Sequence, residues 1–87
     1  MSDKADLLSP ATNHAVVQLP GRKYPGVVVQ GDTLNALAQG LEQMQECLNA
    51  GQLDELNGEI GYIREQLLIR RTHYELVCQE HGIKLPY

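Results

Sequence analysis

Residues 53–81, LDELNGEIGYIREQLLIRRTHYELVCQEH, decide the fold. Leu53, Leu56, Ile60, Ile63, Leu67, Tyr74 and Val77 or Cys78 hold the heptad spacing of one apolar helical stripe. Arg70 occupies the one slot where that pattern expects an apolar residue. Gly58 and Gly61 each cost a helix interior about 1 kcal/mol relative to Ala. Asn57-Gly58 is also a turn dipeptide that offers a break. The apolar register runs on across it, so one long helix over 53–81 is predicted, stopped by Gly82 and followed by Pro86.

Working back toward the N-terminus, Gly51 suits the left-handed position after a helix, and Asn49-Ala50-Gly51 ends an earlier one. Leu34, Leu37, Leu41, Met44 and Leu48, with Ala38 alongside, give that helix its stripe over 32–49. Asp32 is the expected N-cap, its carboxylate accepting from first-turn N–H groups. Two helices joined by a few residues form an antiparallel hairpin, pairing positions whose numbers sum to about 103. Gly61 then faces Glu42, Gly58 faces Gln45 and Gly40 faces Ile63, where small residues would permit close approach. At 1.5 Å per residue the second helix is roughly 43 Å long and the first roughly 27 Å. The overhang, from near Arg71 to His81, is expected to pack across whatever precedes the helices.

What precedes them reads as β structure. HAVVQL, from His14 to Leu19, alternates loosely; LPGRKYPG supplies two Pro-Gly turn steps; VVVQ, residues 27–30, is a second β-rich run. Ala15, Val17 and Leu19 are expected to share one face, with Val27 and Val29 on the partner strand. Residues 1–12 show no sustained period and read as a flexible N-terminal arm, for which Leu7 and Leu8 are candidate anchors. The predicted fold is α+β, a single small domain over 13–87: a two-stranded β-hairpin followed by an antiparallel helical hairpin with a long second helix. A lone two-stranded ribbon is marginal in water and needs the helices over one face.

Composition sets the outer bounds. The chain has 87 residues, with no Trp, no Phe and four Tyr, so Leu, Ile and Val must build the core. A chain this short buries only roughly 60–65% of its unfolded surface. No apolar run approaches the ~18–20 residues of a membrane span, and MSDKADLLSPATN lacks the basic and long apolar regions of a signal peptide. A cytoplasmic protein is expected. Formal charge is −4 but unevenly spread: residues 25–63 contain Asp32, Glu42, Glu46, Asp54, Glu55 and Glu59 and no Lys or Arg. This acidic block repels phosphate backbones, so nucleic acid is not an expected partner, whereas a basic protein surface would be steered toward it.

Catalytic and metal chemistry find little support. Cys47 and Cys78 fall too far apart in the hairpin for a disulfide and are expected to be reduced. Cys78 and His81 share a helical face near His73, but zinc wants three or four ligands and no further pair completes the set. No metal and no cofactor are expected. His14 with Asp32, or His73 with Glu75, lacks the orienting third group of nucleophilic catalysis. Glu42 with Glu46, and Glu55 with Glu59, put carboxylates on one helical face without a cation to polarise them. Gly31-Asp32-Thr33 opens a helix, but the Asp32 carboxylate occupies the place an anion would take. The loop Pro20–Gly26 joins Arg22 and Lys23 to Tyr24, a composition suited to gripping an anion or an acidic segment.

Tyr24 to Leu34, YPGVVVQGDTL, is the most distinctive stretch. It resembles the P-G-hydrophobic-Q-G-D-S/T-L pattern of a family of small bacterial proteins of uncharacterised function, over about residues 13–48. The likeness is to a strand-to-helix junction and implies no activity. In size, acidity and lack of catalytic groups the chain also resembles the immunity proteins of bacterial toxin systems, in type alone. The expected function is therefore a non-enzymatic protein-binding module, in its most concrete form an immunity-type inhibitor. Glu42, Glu46, Asp54, Glu55 and Glu59 would cover a basic cleft of the toxin, with Tyr62 as a further contact. A second version binds through Arg22, Lys23 and Tyr24. The alternatives are a self-assembling structural or regulatory homodimer, joined by the β edge or the helix overhang, and an anion or small-molecule module built on the Arg22-Lys23 loop.

Overall fold

A computed structural model describes residues 4–87. Three short strands, β1 (Asp6–Leu7), β2 (Val16–Gln18) and β3 (Gly26–Val27), precede two helices, α1 (Gly31–Ala50) and α2 (Leu53–Glu80). The chain divides into two compact units, one made of residues up to 30 together with 70–87, the other of residues 31–69.

In the first unit the strands form one antiparallel sheet in the order β1-β2-β3, not the two-stranded ribbon expected. Asp6 pairs with Gln18 and Leu7 with Val17, so part of the segment read as a flexible arm is a third strand. Side chains hold it there. Leu8 packs against the core, its N–H donates to the Val16 carbonyl at 2.9 Å, and the Val16 N–H donates to Ser9 Oγ at 2.8 Å. Residues 1–3 of the expected arm lie outside the described residues.

The strands do not bury one clean phase: Ala15, of the expected face, is buried, Val27 packs against the core, and Val16, of the other phase, is buried as well. Val16 is fully buried and pairs with Val27, while Leu19, Val28 and Val29 are exposed. In HAVVQL the apolar phase is Ala15, Val17 and Leu19, and the phase containing Val16 is disguised by His14 and Gln18. That glutamine satisfies its amide locally, donating to the carbonyls of Arg22 at 2.7 Å and Leu19 at 3.2 Å. Against Val16 pack Tyr74, Val77 and Cys78 from the last turns of α2, with Leu8, Val27, Ile83 and Leu85 around them. The Tyr74 hydroxyl donates to the Pro25 carbonyl at 3.0 Å. Burial pushes that hydroxyl up to about 12, and the neighbouring Cys78 thiol adds to the rise.

The second unit is the helical hairpin. Gly51, at φ 70°, closes α1: the N–H of Gln52 reaches back to the Cys47 carbonyl at 2.8 Å, and that of Gly51 to Leu48 at 3.2 Å. This double bond is the Schellman ending, and Gly82 repeats it at the end of α2 through Ile83 and Cys78. Asp32 lies inside the first turn, because α1 begins at Gly31; its carboxylate accepts from the Thr33 N–H at 2.8 Å. No break occurs at Asn57-Gly58. Of the three glycines expected to bring the helices close, only Gly40 does so: a Cβ there would meet Ile63 Cδ1 at 3.1 Å, whereas Gly58 and Gly61 have nothing within 4 Å. Those two lie on an exposed side of α2, about 100–160° round the helix from Ile60.

Candidate protein-binding face

The contact of Gly40 with Ile63 fixes how α1 and α2 lie against each other within the hairpin. Helical register then brings Leu34 beside Leu67, Leu41 beside Ile60 and Leu48 beside Leu53. These six side chains are 42–65% exposed. Leu41, Met44, Gln45, Leu48, Leu56 and Ile60 line a shallow groove of about 340 Å³ between the two rows. The periodicity that marks both helices as amphipathic therefore serves two purposes. Ile63, Leu56, Leu37 and Met44 are partly buried at or near the helix seam, and the seven-residue rows beside them remain in water. A contiguous apolar patch of this kind on a small protein marks a binding surface.

The acidic residues flank this face. Glu42 and Asp54 each follow a row residue by one position, which places them about 100° round their helices. Both are exposed, as is Glu46. Glu55 and Glu59 turn toward α1 instead. Glu55 Oε2 is 4.0 Å from the buried Cys47 thiol, and Glu59, itself half-buried, places Oε2 3.5 Å from the Cβ position of Gly40. Tyr62 is exposed but two residues on from Ile60, and so on the far side of α2. The five carboxylates thus do not form one flat acidic face.

In the first unit, Arg22, Lys23 and Tyr24 occupy an exposed loop that turns through Gly21 at φ 74°. Lys23 Nζ sits 5.3 Å from the centre of the Tyr24 ring, a cation–π contact. Cys47 and Cys78 are free thiols, both fully buried. His81 is engaged structurally, its Nε2 2.7 Å from the Leu8 carbonyl. Among the described residues no three His, Cys, Asp or Glu side chains gather as a metal would need.

One pairing escaped the sequence. His14, just before β2, meets His73 of α2 edge to face with ring centres 4.9 Å apart. Burial lowers the His14 pKa below its ordinary value, and the positive charges of His73 and the buried Arg70 lower it further. His73 Nε2 is buried with no hydrogen-bond partner among the described residues. Arg70, out of pattern in the stripe, was the available signal: a buried cation in a helix marks a polar cluster beside it.

Fold and surface together define a small α+β protein with a short sheet and a helical hairpin. The chain belongs to DUF6959, a family of unknown function, whose model matches residues 1–87. Neither a curated protein nor a solved structure matches it. Among the described residues no helix is long and apolar enough to cross a membrane.

Proposed function

We propose that this protein acts by binding protein, without catalysis of its own, and that the helical hairpin is its binding element. The observation that carries the reading is the double apolar row, Leu34, Leu41 and Leu48 beside Leu53, Ile60 and Leu67, left in water on a chain too small to waste apolar area. Interfaces are built this way, with an apolar centre and a charged rim. Here Glu42 and Asp54 supply the rim, while Glu46, two residues before Leu48, lies on the far side of α1. In the immunity-type form of this function the rim carboxylates would steer a basic target onto the hairpin, and charge reversal at Asp54, Glu55 and Glu59 would slow association more than it speeds dissociation.

The test is a pull-down from the source cell with the wild-type chain and with a Leu41→Glu, Ile60→Glu double variant. A protein, this chain included, that is held stoichiometrically by the wild type and lost with the variant is the expected result. Equal recovery of every bound protein by both baits would overturn the reading.

A further inference from the structure

We infer that the occupant of the apolar face is a second copy of this chain, laid hairpin on hairpin so that four helices enclose three shared layers. The inference rests on the protein-binding reading above and names its partner. Its basis is the register. Leu34, Leu41 and Leu48 repeat every seven residues on α1, and Leu53, Ile60 and Leu67 repeat every seven on α2. The hairpin therefore presents three rungs, each one residue wide per helix, at the spacing that knobs-into-holes packing uses. A two-fold rotation maps this ladder onto itself: the middle rung, Leu41 with Ile60, meets its own copy, and the Leu34–Leu67 rung meets the Leu48–Leu53 rung. Such an interface is isologous, the commonest form of homo-oligomer, and each layer acquires the four aliphatic side chains of a four-helix bundle. A partner of unrelated shape would not call for the same repeat on both helices.

Area and charge both bear on the choice. The six exposed side chains offer on the order of 600 Å² per copy, close to the ~800 Å² per partner of stable complexes, before any flanking contact is counted. Arg64, the only cation in residues 31–69, stands on this face between Ile60 and Leu67, and reversing one hairpin on the other carries it toward the end that holds Asp54. The rest of this unit is acidic, so two copies repel at long range, and added salt strengthens their association by screening. A basic partner would show the opposite dependence.

Sedimentation equilibrium of the full chain reads all of this. The 9.7 kDa chain is expected at twice its mass, with the dimer fraction rising as salt is added. The Leu41→Glu, Ile60→Glu variant is expected at the monomer mass with an unchanged helical circular dichroism spectrum. Leu41→Ala with Ile60→Ala, which keeps helix propensity, should weaken the dimer at least about tenfold. A wild-type monomer overturns the second copy while the pull-down still decides the binding reading. A dimer that persists in both variants, or that salt weakens, overturns it as well.

Discussion

Positions 53, 60, 67 and 74 share one face of α2, yet the first three stand in water while Tyr74 is 7% exposed. The same helix thus passes through two settings. From Arg70 onward it is covered: Val16 seals Tyr74, Val77 and Cys78 from the sheet, Ile83 and Leu85 close from the tail, and the Tyr74 hydroxyl finds the Pro25 carbonyl. From Leu53 to Ile69 the helix packs against α1 across the seam, and the next row round is exposed. The repeat in the sequence is continuous; the chain supplies a cover for one end of it. An apolar row costs solubility and must be offset by some benefit, which is why the uncovered half is the place to look for function.

The largest expected effect would break or confirm this contrast directly. Truncation at the covered end, Tyr74→Ala, removes a buried aromatic ring and orphans a carbonyl, and should cost about 3–5 kcal/mol. The same truncation one heptad earlier, Leu67→Ala, should cost less than about 1 kcal/mol in the monomer. Urea unfolding at high dilution measures both. Equal losses would mean that position 67 is as buried in solution as position 74. Repeating the Leu67→Ala measurement at high concentration sharpens the point, since a contribution that grows with concentration belongs to association rather than to folding.

A smaller contrast concerns the glycines of the hairpin. Gly58→Ala and Gly61→Ala place a methyl in open space on a helix and should each stabilise by about 0.5–1 kcal/mol. Gly40→Ala drives its methyl against Ile63 Cδ1, so crowding cancels or outweighs the same helix gain. Denaturation midpoints of the three single variants should therefore rise, rise and fail to rise. A gain at Gly40 equal to the other two would show that the seam is looser than 3.1 Å implies.

How far the sequence discloses this molecule depends on whether a feature is local or assembled. The helices are local: spacing of three and four, Gly51 and Gly82 as left-handed stops, and an unbroken register across Asn57-Gly58 place both to within a residue or so. The pairing of Gly40 with Ile63 follows from loop length alone. The sheet is assembled, and there the reading slipped. β1 is two residues long and depends on Ser9 and Leu8 finding Val16, a contact that no period announces. The phase of β2 was hidden by Gln18, whose amide is satisfied by its own loop. The apolar face was legible as residues but not as a surface. Periodicity names the apolar positions of an amphipathic helix without saying which of them the partner helix covers. Within Leu34–Leu67 the contacts of Gly40 with Ile63 and of Cys47 with Glu55 mark the seam and leave the two rows outside it.

The His14–His73 pair yields the smallest effect and the most specific one. His14 titrates below its ordinary 6.5 in the folded protein because burial and the nearby His73 and Arg70 charges disfavour its cation. The unfolded chain has no such penalty and binds the proton at the ordinary value. Between those two values the unfolded state holds more protons, so stability rises with pH there. The contribution is present in full above about pH 6.5 and is lost as the pH falls through the window below it. Protonation would also set a further charge beside those of Arg70 and His73, at a ring spacing of 4.9 Å from His73. Thermal melting at pH 7.5 and pH 5 should therefore show a decline of a few degrees in the wild type that is smaller in His14→Gln. The remaining decline reports the other titrating groups. Parallel declines in the two proteins would remove His14 from the account and leave its contact with His73 as packing alone.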